Sequence, residues 1–171
     1  MIAVIQRVRR ASVTVGSQLV AKISQGLVIL VGVAQGDTSQ DVDFMIEKIP
    51  QLRIFPDTQG KMNYALQDIN GEVLLISQFT LLANTAKGRR PSFELAAPPQ
   101  EAHVRYQEVL DKFKALGLAV QGGMFGAAMI VALENDGPVT LILDSRGRKA
   151  VKKVKDSLPR TDTVLQTEHP E

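Results

Sequence analysis

The strongest constraint on this chain is the run Leu27 to Val33, seven residues without one polar side chain. The run is too short for an ordinary helix, rich in β-branched residues and bracketed by Gly26 and Gly36, so it reads as a strand. It is apolar on both faces, which places it in the middle of a sheet with cover on either side. The neighbouring segments must supply that cover. Ala3 to Val8, Ser12 to Val15 and Leu19 to Ile23 read as further strands, with Gly16 and Gly26 punctuating them. Glu72 to Gln78 is a second strongly apolar strand.

After residue 36 the period changes. Thr38 is placed to cap a helix, with Asp41 three positions on, and Val42, Met45, Ile46 and Ile49 fall at helical spacing. Pro50 should end or kink it, because proline lacks an N–H and clashes with the preceding turn. Leu52 to Phe55 leaves as an extended segment. Pro98-Pro99 opens the clearest helix, which runs to Gly117 with an apolar stripe at Ala102, Tyr106, Val109, Phe113 and Leu116. Leu118 to Val120, Ala127 to Leu133 and Val139 to Leu143 read as the remaining strands, and Asn135-Asp136-Gly137 connects the last two. The fold class expected is α/β in the loose sense: largely antiparallel or mixed β-sheets packed together, with helices on one outer face.

The chain has 171 residues, enough for one domain. A domain of this size buries roughly 70% of the surface its unfolded chain exposes, so it needs no staples. It has no Cys, which excludes disulfides and thiolate metal sites and fits a reducing cytosol. Two histidines, His103 and His169, are too few for a His-based metal centre. Carboxylates alone can hold a metal, but no ligand loop of that kind stands in the sequence. No metal and no cofactor are expected. The opening residues carry neither an apolar h-region nor a small-residue cleavage site. The most apolar stretch, Gly26 to Ala34, falls far short of the ~20 residues that span a bilayer. A cytoplasmic protein without a membrane partner is expected.

Charge is unevenly placed. Residues 1–145 hold 13 basic and 14 acidic residues, whereas 146–155 hold six basic residues and no acid. The expected organisation is a near-neutral domain over 1–145 and a basic, then polar, C-terminal tail over 146–171, partly disordered. The tail's charge suits either a solvated surface or attraction to nucleic acid.

Four further segments offer chemistry. Ser77-Gln78-Phe79-Thr80 ends a buried strand with two hydroxyls, an amide and several backbone N–H groups, which suits an oxyanion site or a strand edge with satisfied hydroxyls. No His or Lys stands nearby in sequence to activate either hydroxyl. Asn135 to Thr140 reads as a hairpin turn, because Asp-Gly favours positive φ. Pro138, however, directly precedes an apolar strand whose ladder its missing N–H would break. Residues 83–98 form a long loop, and at its centre Lys87, Arg89 and Arg90 either grip phosphates or are simply solvated. Phe125 and Met129, set among small residues, suit a slot for a base or ordinary core packing.

In this order and spacing the segments resemble the D-aminoacyl-tRNA deacylase family, first called D-tyrosyl-tRNA deacylases. The resemblance covers residues 1 to about 145 and rests on AVIQRV and ASVTV at the start, LRIF at 52–55, GKMN at 60–63, SQFTL at 77–81, KGRRPSF at 87–93, GMFGAAM at 123–129 and NDGPVT at 135–140. Pro50 and the longer tail depart from the family pattern. The resemblance implies a barrel-like fold and a homodimer with active sites at the subunit interface. Its substrate would be D-aminoacyl-tRNA, with hydrolysis of the ester to a D-amino acid and tRNA. It implies a cis bond between Gly137 and Pro138, lent to the partner's pocket, where two parallel carbonyls would capture the substrate's ammonium group and reject L side chains by steric exclusion. Glycine, without a side chain, would pass. Arg7 is expected to hold the Gly-Pro carbonyls. Ser77, Gln78 and the Phe79 N–H would line the reaction centre, and Phe125 and Met129 would pack on the terminal adenosine. Thr80 matches a residue often assigned as nucleophile, but attack by water fits a site with no visible base better. Two other readings compete. One is a related editing enzyme for L-amino acids with a trans Gly-Pro and an altered strand-end motif, against which the intact SQFTL argues. The other is a nucleic-acid-binding module working through residues 87–90 and the tail.

Overall fold

The structure, a computed structural model, describes residues 1–147. Residues 148–171, and with them nearly all of the expected tail, lie outside the described residues. Among the described residues, eight strands and two helices follow in the order β1 (Ile2–Val15), β2 (Gln18–Ile23), β3 (Gly26–Gly32), α1 (Ser39–Lys48), β4 (Phe55–Pro56), β5 (Met62–Tyr64), β6 (Glu72–Ser77), α2 (Pro99–Ala115), β7 (Ala119–Gly122) and β8 (Met129–Asp144).

β1 organises the sheet. On one side its first half pairs with β3 and its second half with β2, both antiparallel; on the other side β8 runs antiparallel along its whole length. The two segments expected at its ends are therefore one strand. β3 pairs in parallel with β6, and β6 with β7. The sheet is mixed and curls into a nearly closed barrel. Side chains bridge the remaining gap: the Gln121 amide accepts from the Lys22 N–H at 3.0 Å and donates to the Lys22 carbonyl at 2.5 Å, imitating a strand pair between β7 and β2.

Two cores result. Leu27, Ile29 and Val31 of β3, with Val73 and Leu75 of β6, face α1 and α2 through Val42, Met45, Val109 and Phe113. Val28, Leu74 and Ile76 point the other way, into the barrel against Val8, Val13 and Ile23. β3 and β6 are thus covered on both faces, which is why their sequences show no alternation. Both helices lie on one outer face, as expected.

Thr38 caps α1 as the sequence implies. Its side chain accepts from Gln40 N at 3.3 Å, and the Asp41 carboxylate returns to Thr38 N at 2.9 Å, a reciprocal capping box. The helix ends at Lys48, and Pro50 sits in the short 3-10 turn that follows. In α2 the buried side chains are Tyr106, Val109, Leu110 and Phe113. Leu116, expected in the stripe, is 45% exposed, because the helix stops at Ala115 and Leu116 already leaves helical geometry. No helix among the described residues is long and apolar enough to cross a membrane.

The largest correction concerns Asn135-Asp136-Gly137. These residues do not turn the chain back. Both halves of β8 pair with the same strand, β1, in one direction. Between the pairs Gln6↔Thr140 and Val8↔Asn135, β1 supplies the single residue Arg7 and β8 supplies Asp136 to Val139. The segment is a wide bulge in a continuous strand, of the kind that re-aims main-chain groups.

Candidate functional site

Where β6 ends, the backbone leaves the sheet into a 3-10 turn over Phe79–Leu82. Gln78 N still bonds Val31 O at 2.8 Å, but the amides of Phe79 and Thr80 open the turn and have no acceptor within it. Beside them lies a cleft of about 640 Å³. Ser77, Gln78 and Phe79 form one side; Phe125 and Met129 form another; Phe93 and the start of α2 at Pro98, Pro99 and Ala102 complete it. The lining is mostly apolar with a few polar atoms at the strand end, the usual composition of a small-molecule site.

The strand-end groups are ordered among themselves. Gln78 Nε2 donates to Thr80 Oγ1 at 2.5 Å. The Thr80 hydroxyl thereby accepts an N–H and keeps its own proton to donate. Among the described residues no base hydrogen-bonds Ser77 or Thr80. His103 instead packs at a tilt against Phe125, with ring centroids 4.7 Å apart. A Ser-His arrangement is not present there, and no group of three or more His, Asp or Glu among the described residues is placed to hold a metal.

Arg7, Gly137 and Pro138 come together at a second place, the β8 bulge. Arg7 is 7% exposed. Its Nε donates to the Asp136 carbonyl at 2.8 Å, and its Nη1 donates to the Ile54 carbonyl. Arg7 therefore grips the carbonyl just before Gly137 and stands against Gly137 itself. Asn135 closes the bulge from the other side: its Oδ1 accepts from Val139 N at 2.7 Å and its Nδ2 donates to Val139 O at 3.1 Å. Gly137 is required here. It has φ +133°, and a Cβ would stand 2.7 Å from Arg7 Nη2 and 2.8 Å from Val139 Cγ2. The Gly137–Pro138 bond is cis, and both residues are exposed. None of the three lines the cleft. Seven residues of β8 separate Met129 from Gly137, about 25 Å along a strand.

Lys87, Arg89 and Arg90 form a third group, exposed and without an ion pair or hydrogen bond among the described residues. Their loop is ordered at its base by reciprocal bonds between Asn84 and Ser92, at 2.8 and 3.0 Å. Phe93 then packs edge-on against Phe79 at 5.0 Å, tying the basic tip to the strand-end motif. Sequence reasoning did not single out Phe93, Asn135 or Tyr106 as site residues. Phe93 closes KGRRPSF and Asn135 opens NDGPVT, so the motif boundaries were the available signal; Tyr106 stood only in a helix stripe.

Comparison with known proteins finds close similarity over nearly all of the described residues. The family described as D-Tyr-tRNA(Tyr) deacylase matches residues 4–144. The D-aminoacyl-tRNA deacylase of Sulfurihydrogenibium sp. (strain YO3AOP1) is 54% identical over 146 residues, 85% of this chain and 99% of the relative. That of Aquifex aeolicus (strain VF5) is 51% identical over 146 residues, with the same coverage. A solved structure named c-Myc DNA Unwinding Element Binding Protein is 40% identical with a TM-score of 0.80, over 84% of this chain and 98% of that one. A probable eukaryotic D-amino acid tRNA deacylase superposes with a TM-score of 0.69 over 84% of this chain and 98% of that one; at 15% identity it bears on the fold alone.

Proposed function

This chain belongs to the D-Tyr-tRNA(Tyr) deacylase family, and from that premise we propose that it hydrolyses the ester of D-aminoacyl-tRNA as a homodimer whose subunits share each active site. The observation that carries the reading is the separation of two half-sites in one chain. The strand-end cleft has N–H donors and an apolar slot but nothing to read the α-carbon. Gly137 and Pro138 are exposed on the β8 bulge and line no part of that cleft. A two-fold axis that brings one chain's loop to its partner's cleft completes both sites at once. Ile130 and Ile142, 68% and 75% exposed on the same strand β8, suit burial in such an interface.

In this reading the terminal adenosine lies against Phe125 and Met129, and the ester carbonyl faces Phe79 and Thr80. Water attacks the carbonyl carbon. The two amides stabilise the oxyanion, each such donor being worth ~2.7–4 kcal/mol. The carbon–oxygen bond to the ribose then breaks, and the ribose oxygen takes up a proton, with the neighbouring 2′-hydroxyl as the shuttle. Thr80 orients rather than attacks, since among the described residues no base hydrogen-bonds its hydroxyl to activate it. The partner's Gly137 and Pro138 carbonyls hold the substrate ammonium, which leaves room for a side chain only on the D face. Glycyl-tRNA, with nothing to exclude, is cleaved as well. Lys87, Arg89 and Arg90 contact the tRNA backbone.

Complementation tests the sharing. Gln78→Ala damages the cleft and Gly137→Ala damages the loop. Mixing and reassembling the two inactive variants yields heterodimers with one intact site, or about a quarter of wild-type turnover on D-aminoacyl-tRNA for random pairing. If the loop served its own cleft, the mixture would stay inactive. Equal cleavage of D- and L-aminoacyl-tRNA by the wild type would end the chiral reading.

A second reading is favoured by the unpaired basic tip and by the name of the 40%-identical structure: binding of DNA through Lys87, Arg89 and Arg90. Duplex-DNA affinity that falls in the triple alanine variant, in a protein with no deacylase turnover, would select it.

A further inference from the structure

Two parallel strands part beside the cleft, and a buried phenol sits in the fork. β6 and β7 pair from Glu72↔Ala119 to Leu75↔Gly122, and one last link runs from Gly123 N to Leu75 O at 2.9 Å. Beyond it β6 continues to Ser77 and the strand-end turn, while the segment after β7 turns away to carry Phe125. The Tyr106 hydroxyl lies 3.0 Å from Leu75 O and 3.3 Å from Gly123 O, in a side chain only 3% exposed. Gly122 makes the room: a Cβ there would stand 2.9 Å from that hydroxyl. The Tyr106 ring also lies 5.8 Å from the ring of Phe125, at a tilt of 47°. One side chain of α2 therefore touches the last shared rung of both strands and the cleft wall.

Resting on the reading of the cleft as the aminoacyl-tRNA site, we propose that Tyr106 is a positioning residue: its hydroxyl sets the opening of the β6–β7 fork and thereby the placement of Phe125 against the substrate's terminal nucleoside. The hydroxyl is a donor at every physiological pH, as any phenol is, and burial pushes it further up, to about 12. Without it Leu75 O keeps the Gly123 N–H, so the strand pair and the Ser77–Thr80 end survive. The two carbonyls lose the single phenol proton they share; Leu75 O still has the Gly123 N–H, whereas Gly123 O has no other donor among the described residues, and the segment carrying Phe125 relaxes away from the cleft. The effect falls on binding and spares the chemical step.

Steady-state kinetics on D-aminoacyl-tRNA test this with Tyr106→Phe, Phe125→Ala and the double variant. Tyr106→Phe raises KM between about twofold and tenfold, the range one hydrogen bond supplies, and leaves kcat unchanged. In the Phe125→Ala background it adds nothing, because its action runs through Phe125. Val109→Ala, in the core face of the same helix, lowers stability but leaves KM alone. An unchanged KM in Tyr106→Phe, a fall in kcat alone, full additivity with Phe125→Ala, or the same KM rise from Val109→Ala would each overturn the assignment. A wild type that cleaves D-aminoacyl-tRNA alongside any of these outcomes places the failure in Tyr106; a wild type that does not cleave it overturns the reading of the cleft and this inference together.

Discussion

Arg7→Lys is the sharpest perturbation of the bulge, because it keeps the charge and removes only the fork. Arg7 holds two main-chain carbonyls from different segments, Asp136 O at 2.8 Å and Ile54 O, and its Nη2 lies against Gly137. Lysine has a single ammonium on a flexible stem and cannot reach both carbonyls in one plane. One bond is re-formed and one is lost. A hydrogen bond from a charged donor contributes about 1.5–3 kcal/mol, so the variant loses about that much stability. For a domain of this size each kcal/mol moves Tm by about 2–4 °C, giving a fall of roughly 3–12 °C. Urea and thermal unfolding at fixed protein concentration measure it. Function should fall further than stability. A displacement of the Gly137–Pro138 carbonyls by about 1 Å costs about 100-fold in turnover when those atoms orient the substrate. The loss should appear in kcat/KM for D-aminoacyl-tRNA, with the D-over-L ratio reduced. An Arg7→Lys variant within about 0.5 kcal/mol of wild type and with the same D-over-L ratio would show that the guanidinium neither builds nor aims the bulge.

Three further outcomes follow from the same geometry. Thr80→Ala removes one hydroxyl and no base-activated nucleophile, so kcat falls by less than about tenfold; abolished turnover in a folded protein would restore a covalent role for Thr80. Replacing Lys87, Arg89 and Arg90 by Ala lowers the slope of log KM against log salt for aminoacyl-tRNA by about 2–3 and leaves a minimal D-aminoacyl-adenosine substrate untouched; an unchanged salt slope would remove the tip from the tRNA contact. Tyr106 is pushed up to about 12 by burial, against 10.0 when free. The folded chain therefore holds that proton more tightly, and the stability it contributes is complete below pH 10 and lost as pH rises through 12. In Tyr106→Phe the alkaline decline of urea stability over that window should flatten; an identical decline would mean the phenol is not buried as described.

How much of this was legible in the sequence depends on how local each feature is. β3 could be read because both its faces are apolar, and the structure places Leu27 and Val28 in two different cores. The α1 cap could be read because Thr38 and Asp41 satisfy each other within one turn. The α2 stripe held while the helix held and failed at Leu116, where the backbone changes and spacing no longer predicts a face. Residues 135–137 show the limit. Asp-Gly announces a backbone excursion, but a hairpin and a bulge begin with the same local chemistry. What separates them is the partner strand, and that partner, β1, lies at the far end of the chain. The candidate site inherits this non-locality twice. The bulge exists because four residues of β8 oppose the single residue Arg7, a count that only register reveals. The cleft exists because β6 and β7 part after Leu75 while Tyr106, from a helix between them in sequence, enters the fork. Residue types announced both the cleft and the bulge; the pairing of distant strands decides where each stands.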